Sequence, residues 1–94
     1  MDRQAYLEKM KATLDAWNAE IDKIEARSKA AQADAKQAYE AQLKEMRDHR
    51  DKAEEQLKKS REASEKAWND LSKSYVDAWE SINDGFKRAM QHFR

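Results

Sequence analysis

A stripe of apolar residues runs along almost the whole chain at helical spacing, and it limits the fold more than any other feature. It begins Leu7, Met10, Leu14, Trp17, Ile21, Ile24. The steps alternate three and four, the a/d heptad pattern of a coiled coil. The seam then turns small and polar at Ser28, Ala31 and Ala35. At Ala35, Tyr39, Leu43 two steps of four follow one another, a stutter that locally unwinds a supercoil. Met46, Arg50, Ala53, Leu57, Ser60 and Ser64 carry the seam onward, weakened by Arg and Ser at core-type positions. The chain reads as one coiled-coil domain: a heptad region over 7–35, a stutter over 35–43 and a weak polar seam over 46–64.

Over 66–94 the period changes to 11 residues. Ala recurs at Ala67, Ala78 and Ala89. The large residues recur as Trp68, Trp79 and Met90, then Leu71, Ile82 and Phe93, then Tyr75 and Phe86. Eleven residues in three turns is close to the pitch of a straight helix. Helix breakers are scarce, with no Pro and a single Gly, Gly85. The apolar stripe continues past Gly85, which is either tolerated at a cost of about 1 kcal/mol or marks a close approach.

No Ser or Thr at the candidate breaks has Glu or Gln three residues on, so Ser28, Ser60 and Ser64 all fail the capping-box pattern. The best turn candidate is Arg47-Asp48-His49-Arg50-Asp51, where Asp48 or Asp51 could cap a second helix. Acid-before-base pairs four residues apart, such as Glu25–Lys29, Glu55–Lys59 and Glu62–Lys66, favour helix on the exposed faces. Asp48–Lys52 would be satisfied by a helix running straight through the turn candidate. These signals predict an all-α fold: one long amphipathic helix from about residue 4 to about 92, or a helical hairpin bent near Asp48. Either would form an antiparallel coiled coil or helical bundle. The continuous seam and the missing caps favour the rod, which at 1.5 Å per residue would be about 140 Å long. Antiparallel pairing would bring Trp17 near Trp79.

Charged residues make up 40% of the chain and hydrophobic residues 39%. That balance suits a rod or a thin bundle rather than a globule with a large sealed core. Lys plus Arg equals Asp plus Glu at 19 each, and the balance holds in both halves. The short basic run Lys58, Lys59, Arg61 is offset by Glu54, Glu55, Glu62 and Glu65, so nucleic acid is not an expected partner. With no Cys there is no disulfide framework, thiolate metal site or Cys nucleophile. The opening residues lack the apolar stretch of a signal peptide, and a cytoplasmic location is expected.

Sites for chemistry are sparse. Glu45 and His49 share a helix face, but two ligands seldom hold a metal tightly. His92 falls in a last turn, where a cation suits the helix dipole. The carboxylates have basic neighbours in helical register, and no nucleophile is held by a base. No catalytic residue, metal or cofactor is therefore expected.

The stretches Asp15-Ala16-Trp17-Asn18-Ala19-Glu20-Ile21 and Ala67-Trp68-Asn69-Asp70-Leu71 resemble small bacterial coiled-coil proteins of unassigned function, over nearly the whole chain. The 11-residue repeat is also similar to the amphipathic repeats of apolipoproteins and desiccation-protection proteins. Neither resemblance transfers a functional residue. A lone amphipathic helix cannot bury its stripe. The expected partner is thus a second copy of the chain, as an antiparallel dimer or four-helix assembly, or else a partner helix. The expected interface is the stripe itself: Leu7, Met10, Leu14, Trp17, Ile21, Ile24, Tyr39, Leu43, Met46, Leu57, Trp68, Leu71, Tyr75, Trp79, Ile82, Phe86, Met90 and Phe93. The expected function is a non-catalytic scaffold or interaction module acting by self-association. The alternative is a lipid- or surface-binding stress-type protein using 66–94 as an amphipathic helix. A membrane surface is the less favoured partner, because the basic residues of 66–94 are matched by acidic ones.

Overall fold

The computed structural model describes residues 2–92. They form three helices: α1 (Arg3–Ala30), α2 (Ala33–Glu62) and α3 (Glu65–His92). The helices fold back on one another in an up-down-up bundle measuring 52 × 17 × 16 Å. The all-α fold is as the apolar spacing predicts, and there is no strand among the described residues.

The chain is neither a single rod nor a hairpin bent at Asp48. Asp48 lies inside α2, where the helix runs straight through Arg47–Asp51. The turns fall at Ala31–Gln32 and Ala63–Ser64. The physical reason is closure of the stripe. Three segments of nearly equal length let each apolar face be covered by two neighbours, which a two-helix hairpin cannot do. Neither turn uses a left-handed residue, and no described residue has positive φ.

Local caps differ between the helix ends. Asp2 caps α1, its Oδ1 accepting from the Gln4 N–H at 3.1 Å. Ser64 caps α3, its Oγ accepting from the Ala67 N–H at 3.0 Å. Ser64 caps without the Glu or Gln that completes a capping box, so that pattern was too strict a test here. Gln32 precedes α2 and makes no side-chain cap bond.

The central helix explains the weak polar seam. α2 lies close against both α1 and α3, whereas the backbones of α1 and α3 approach each other much less. Small and polar residues on α2, including Ala53, Ser60, Gln42 and Gln56, are buried. They allow close approach, and the glutamines find partners: Gln56 Nε2 donates to Ser60 Oγ at 3.4 Å. The wider α1–α3 seam is filled by rings. No helix among the described residues is long and apolar enough to cross a membrane.

Candidate interaction surface

The aromatic residues of α1 and α3 meet in one seam. Trp17 stacks on Phe86, with centroids 4.2 Å apart and planes within 6°. It also lies parallel to Trp79 at 5.6 Å. Nearer the start of both helices, Tyr6 meets Trp68 at 5.5 Å and Trp68 meets Tyr75 at 6.0 Å, both tilted. Trp17 and Trp79 are thus neighbours as expected, but through a parallel α1/α3 pair rather than antiparallel pairing. Such ring pairs add about 0.5–1.5 kcal/mol each beyond their area burial.

Polar side chains tie this seam to the helix ends. The Arg3 guanidinium donates to the carbonyls of Ala63 (2.8 Å) and Ser64 (3.2 Å) and lies over the Trp68 ring at 5.4 Å. The Ala63 carbonyl, just past the end of α2, gains a partner in this way, and the Ser64 carbonyl accepts from the Trp68 N–H as well. Gln42 reaches α3 backbone, its Nε2 donating to the carbonyls of Met90 (3.2 Å) and Ala89 (3.4 Å). The Tyr6 hydroxyl donates to the Tyr75 carbonyl at 3.1 Å. Burial pushes the Tyr6 phenol up to about 12, and the Glu80 carboxylate adds to the push.

Between α1 and α2 the ties are an ion pair and a hydrogen bond. Arg47 reaches Glu25 at 3.0 Å, and Arg50 donates to the Asn18 Oδ1 at 3.2 Å. These pairs are partly exposed and worth little individually. Arg50, which occupies a seam position, also reaches outward to Asp51 at 3.0 Å.

Between α2 and α3, the His49 ring rests against the Gly85 backbone. A Cβ at Gly85 would run into the imidazole. Gly85 is therefore a site of close approach, one of the two roles its position in the stripe allowed. The His49 Nδ1 is buried and has no hydrogen-bond partner among the described residues. Glu45, Asp48, His49, Lys52 and Arg88 line one shallow concavity here. Among the described residues, no group of three or more His, Cys, Asp or Glu is placed to hold a metal ion.

The residues of the expected interface lie almost entirely inside the bundle. Met10, Leu14, Trp17, Ile21, Ile24, Leu43, Met46, Leu57, Trp68, Trp79 and Phe86 are buried. Leu7, Tyr39, Tyr75, Ile82 and Met90 pack against them, partly buried. Phe93 lies outside the described residues. Leu71 alone among the large hydrophobic side chains described is exposed, at 43%. Within one chain, three helices thus cover most of the stripe. Sequence reasoning missed Arg3, Gln42 and Ser64. Arg3 and Ser64 act at the Ala63–Ser64 turn, which the apolar pattern does not mark, and Gln42 reaches α3 backbone through a register that no spacing expresses.

No known family, curated protein or solved structure matches this chain.

Proposed function

We propose that this protein is a non-catalytic coiled-coil scaffold or interaction module that acts by self-association in the cytoplasm. The observation that carries this reading is the fate of the aromatic stripe. Trp17, Trp79 and Phe86 are stacked on one another within the chain. A helix that works by lying on lipid needs its apolar face free. Freeing α3 would mean unstacking these rings and exposing Trp68, Trp79 and Phe86 to water. What the bundle offers outward is a charge-balanced surface of short-range ion pairs, such as Lys29–Glu25 and Lys59–Glu55. Such a surface suits another helical surface better than a polyanion or an anionic membrane.

Tryptophan emission tests the choice between the two readings. The scaffold reading predicts blue-shifted emission in buffer that anionic phosphatidylserine vesicles leave unchanged. Emission typical of wet tryptophans, shifting blue only with vesicles and with a gain in helicity, would replace it by the amphipathic lipid-binding reading. Sedimentation equilibrium tests self-association. A species heavier than the 11.1 kDa chain is expected as concentration rises, and a monomer at every concentration would remove that part of the proposal.

A further inference from the structure

We infer that copies of this chain associate by exchanging α1, with the Ala31–Gln32 turn straightening into continuous helix. The inference rests on the self-association reading and supplies its route. The two turns of the bundle are built differently. The second is held by Ser64 capping α3 and by Arg3, which donates to Ala63 and Ser64 from another helix. The first has no side-chain cap, and residues 32–38 are all exposed.

The residues at the first turn are helix formers, Ala30-Ala31-Gln32-Ala33. Nothing in their intrinsic preference calls for a bend. It is imposed by α1 folding back onto α2 and α3 of the same chain. Straightening it would pair the uncapped N–H groups that open α2 with the unpartnered carbonyls that close α1. The resulting helix, residues 3–62, would be about 90 Å long at 1.5 Å per residue. Its α1 half would dock on α2 and α3 of the second copy and remake the Trp17–Phe86 stack and the Arg3 bonds there. Every contact of the closed bundle is regained, and only the turn differs, which is what makes exchange a low-cost route to dimers. The alanines of the turn let the two straightened helices pass close together.

Gln32→Pro separates the closed and exchanged forms. Proline fixes φ near −65° and drives the preceding residue to extended ψ. Gln32 already has φ −72°, and Ala31 has φ −84° and ψ 154°. The Gln32 N–H donates no hydrogen bond among the described residues. The closed bundle therefore accepts a proline in place of Gln32 without strain, whereas the straightened helix does not. The wild-type chain and the variant would be refolded at high concentration and followed by sedimentation velocity and circular dichroism. The wild type is expected to form a dimer. Gln32→Pro, with native helicity, is expected to weaken dimerisation at least about a hundredfold. A dimer that Gln32→Pro leaves intact would overturn exchange while leaving self-association standing. A wild type that is monomeric throughout would overturn both.

A second measurement does not depend on that variant folding. The chain has no Cys, so Asn18→Cys and Arg50→Cys each introduce a single thiol. The two positions face each other across α1 and α2. Co-refolded and treated with a short bis-maleimide, the two variants should be joined to each other within the dimer peak. A dimer peak without that cross-link would overturn exchange.

Discussion

Gly85→Ala should destabilise the wild-type bundle and stabilise one that lacks the His49 ring. In an ordinary helix interior the substitution gains about 1 kcal/mol from helix propensity. Here the added methyl would meet the imidazole: an ideal Cβ would lie 2.8 Å from Nδ1 and 3.0 Å from Nε2, inside normal contact distance. Forcing a methyl into a filled site costs about 1–3 kcal/mol. The net effect in the wild type is therefore a loss of up to about 2 kcal/mol. In a His49→Ala background the obstacle is gone and the full propensity gain of about 1 kcal/mol should appear. The coupling between the two positions is then about 1–3 kcal/mol. Urea denaturation of the four proteins, followed by far-UV circular dichroism, measures it. If Gly85→Ala shifts stability by the same amount with and without His49, to within about 0.5 kcal/mol, the ring does not occupy the space above Gly85. The reading of Gly85 as a close-approach site would then be wrong.

Trp17→Ala removes a ring that is only 6% exposed and stacked on two others. It should cost about 3–5 kcal/mol, a large part of the stability of a domain this size, read as the shift in denaturant midpoint. Arg3→Ala removes the two bonds to Ala63 and Ser64 and the contact over Trp68. A loss of about 1–2 kcal/mol is expected, with hydrogen exchange accelerated first around residues 63–68. The Tyr6 phenol is raised from 10.0 to about 12 by burial and then by Glu80. The unfolded chain therefore ionises at lower pH than the folded one. The stabilisation from neutral Tyr6 is complete below pH 10 and is lost as pH rises from there through the folded value near 12. Tyr6→Phe should flatten the fall in denaturation midpoint between about pH 10 and 12, and an unchanged slope would remove Tyr6 as its source.

The core was legible in the sequence because it follows from spacing. Met10, Leu14, Trp17, Ile21 and Ile24 were marked by alternating steps of three and four, and all are buried. As far as the described residues extend, the stretch read as an 11-residue repeat lies within a single helix, α3. The turns were not legible, for a physical reason. Ala31 and Gln32 carry no breaker, and Ser64 caps α3 through a lone hydroxyl. Glu62–Lys66 spans the second turn at the spacing of a helical ion pair, which argued for continuity. A trace of both turns was nonetheless present. The seam changes character near residues 28–35 and again at 64–66, where the chain reverses. That change looked like a shift of seam within one helix, because nothing in local propensity separates the two cases. The pairing of His49 with Gly85 depends on the register of α2 against α3, and no sequence spacing expresses it.

The central claim is that one chain folds back twice and closes its own apolar stripe. Small-angle X-ray scattering on the monomer fraction, or on Gln32→Pro, tests it most directly. The bundle has a Cα radius of gyration of 15.4 Å, and a measured value slightly above this, from hydration and side chains, is predicted. A continuous helix of the same chain would give about 40 Å at 1.5 Å per residue, and a value near that would contradict the account.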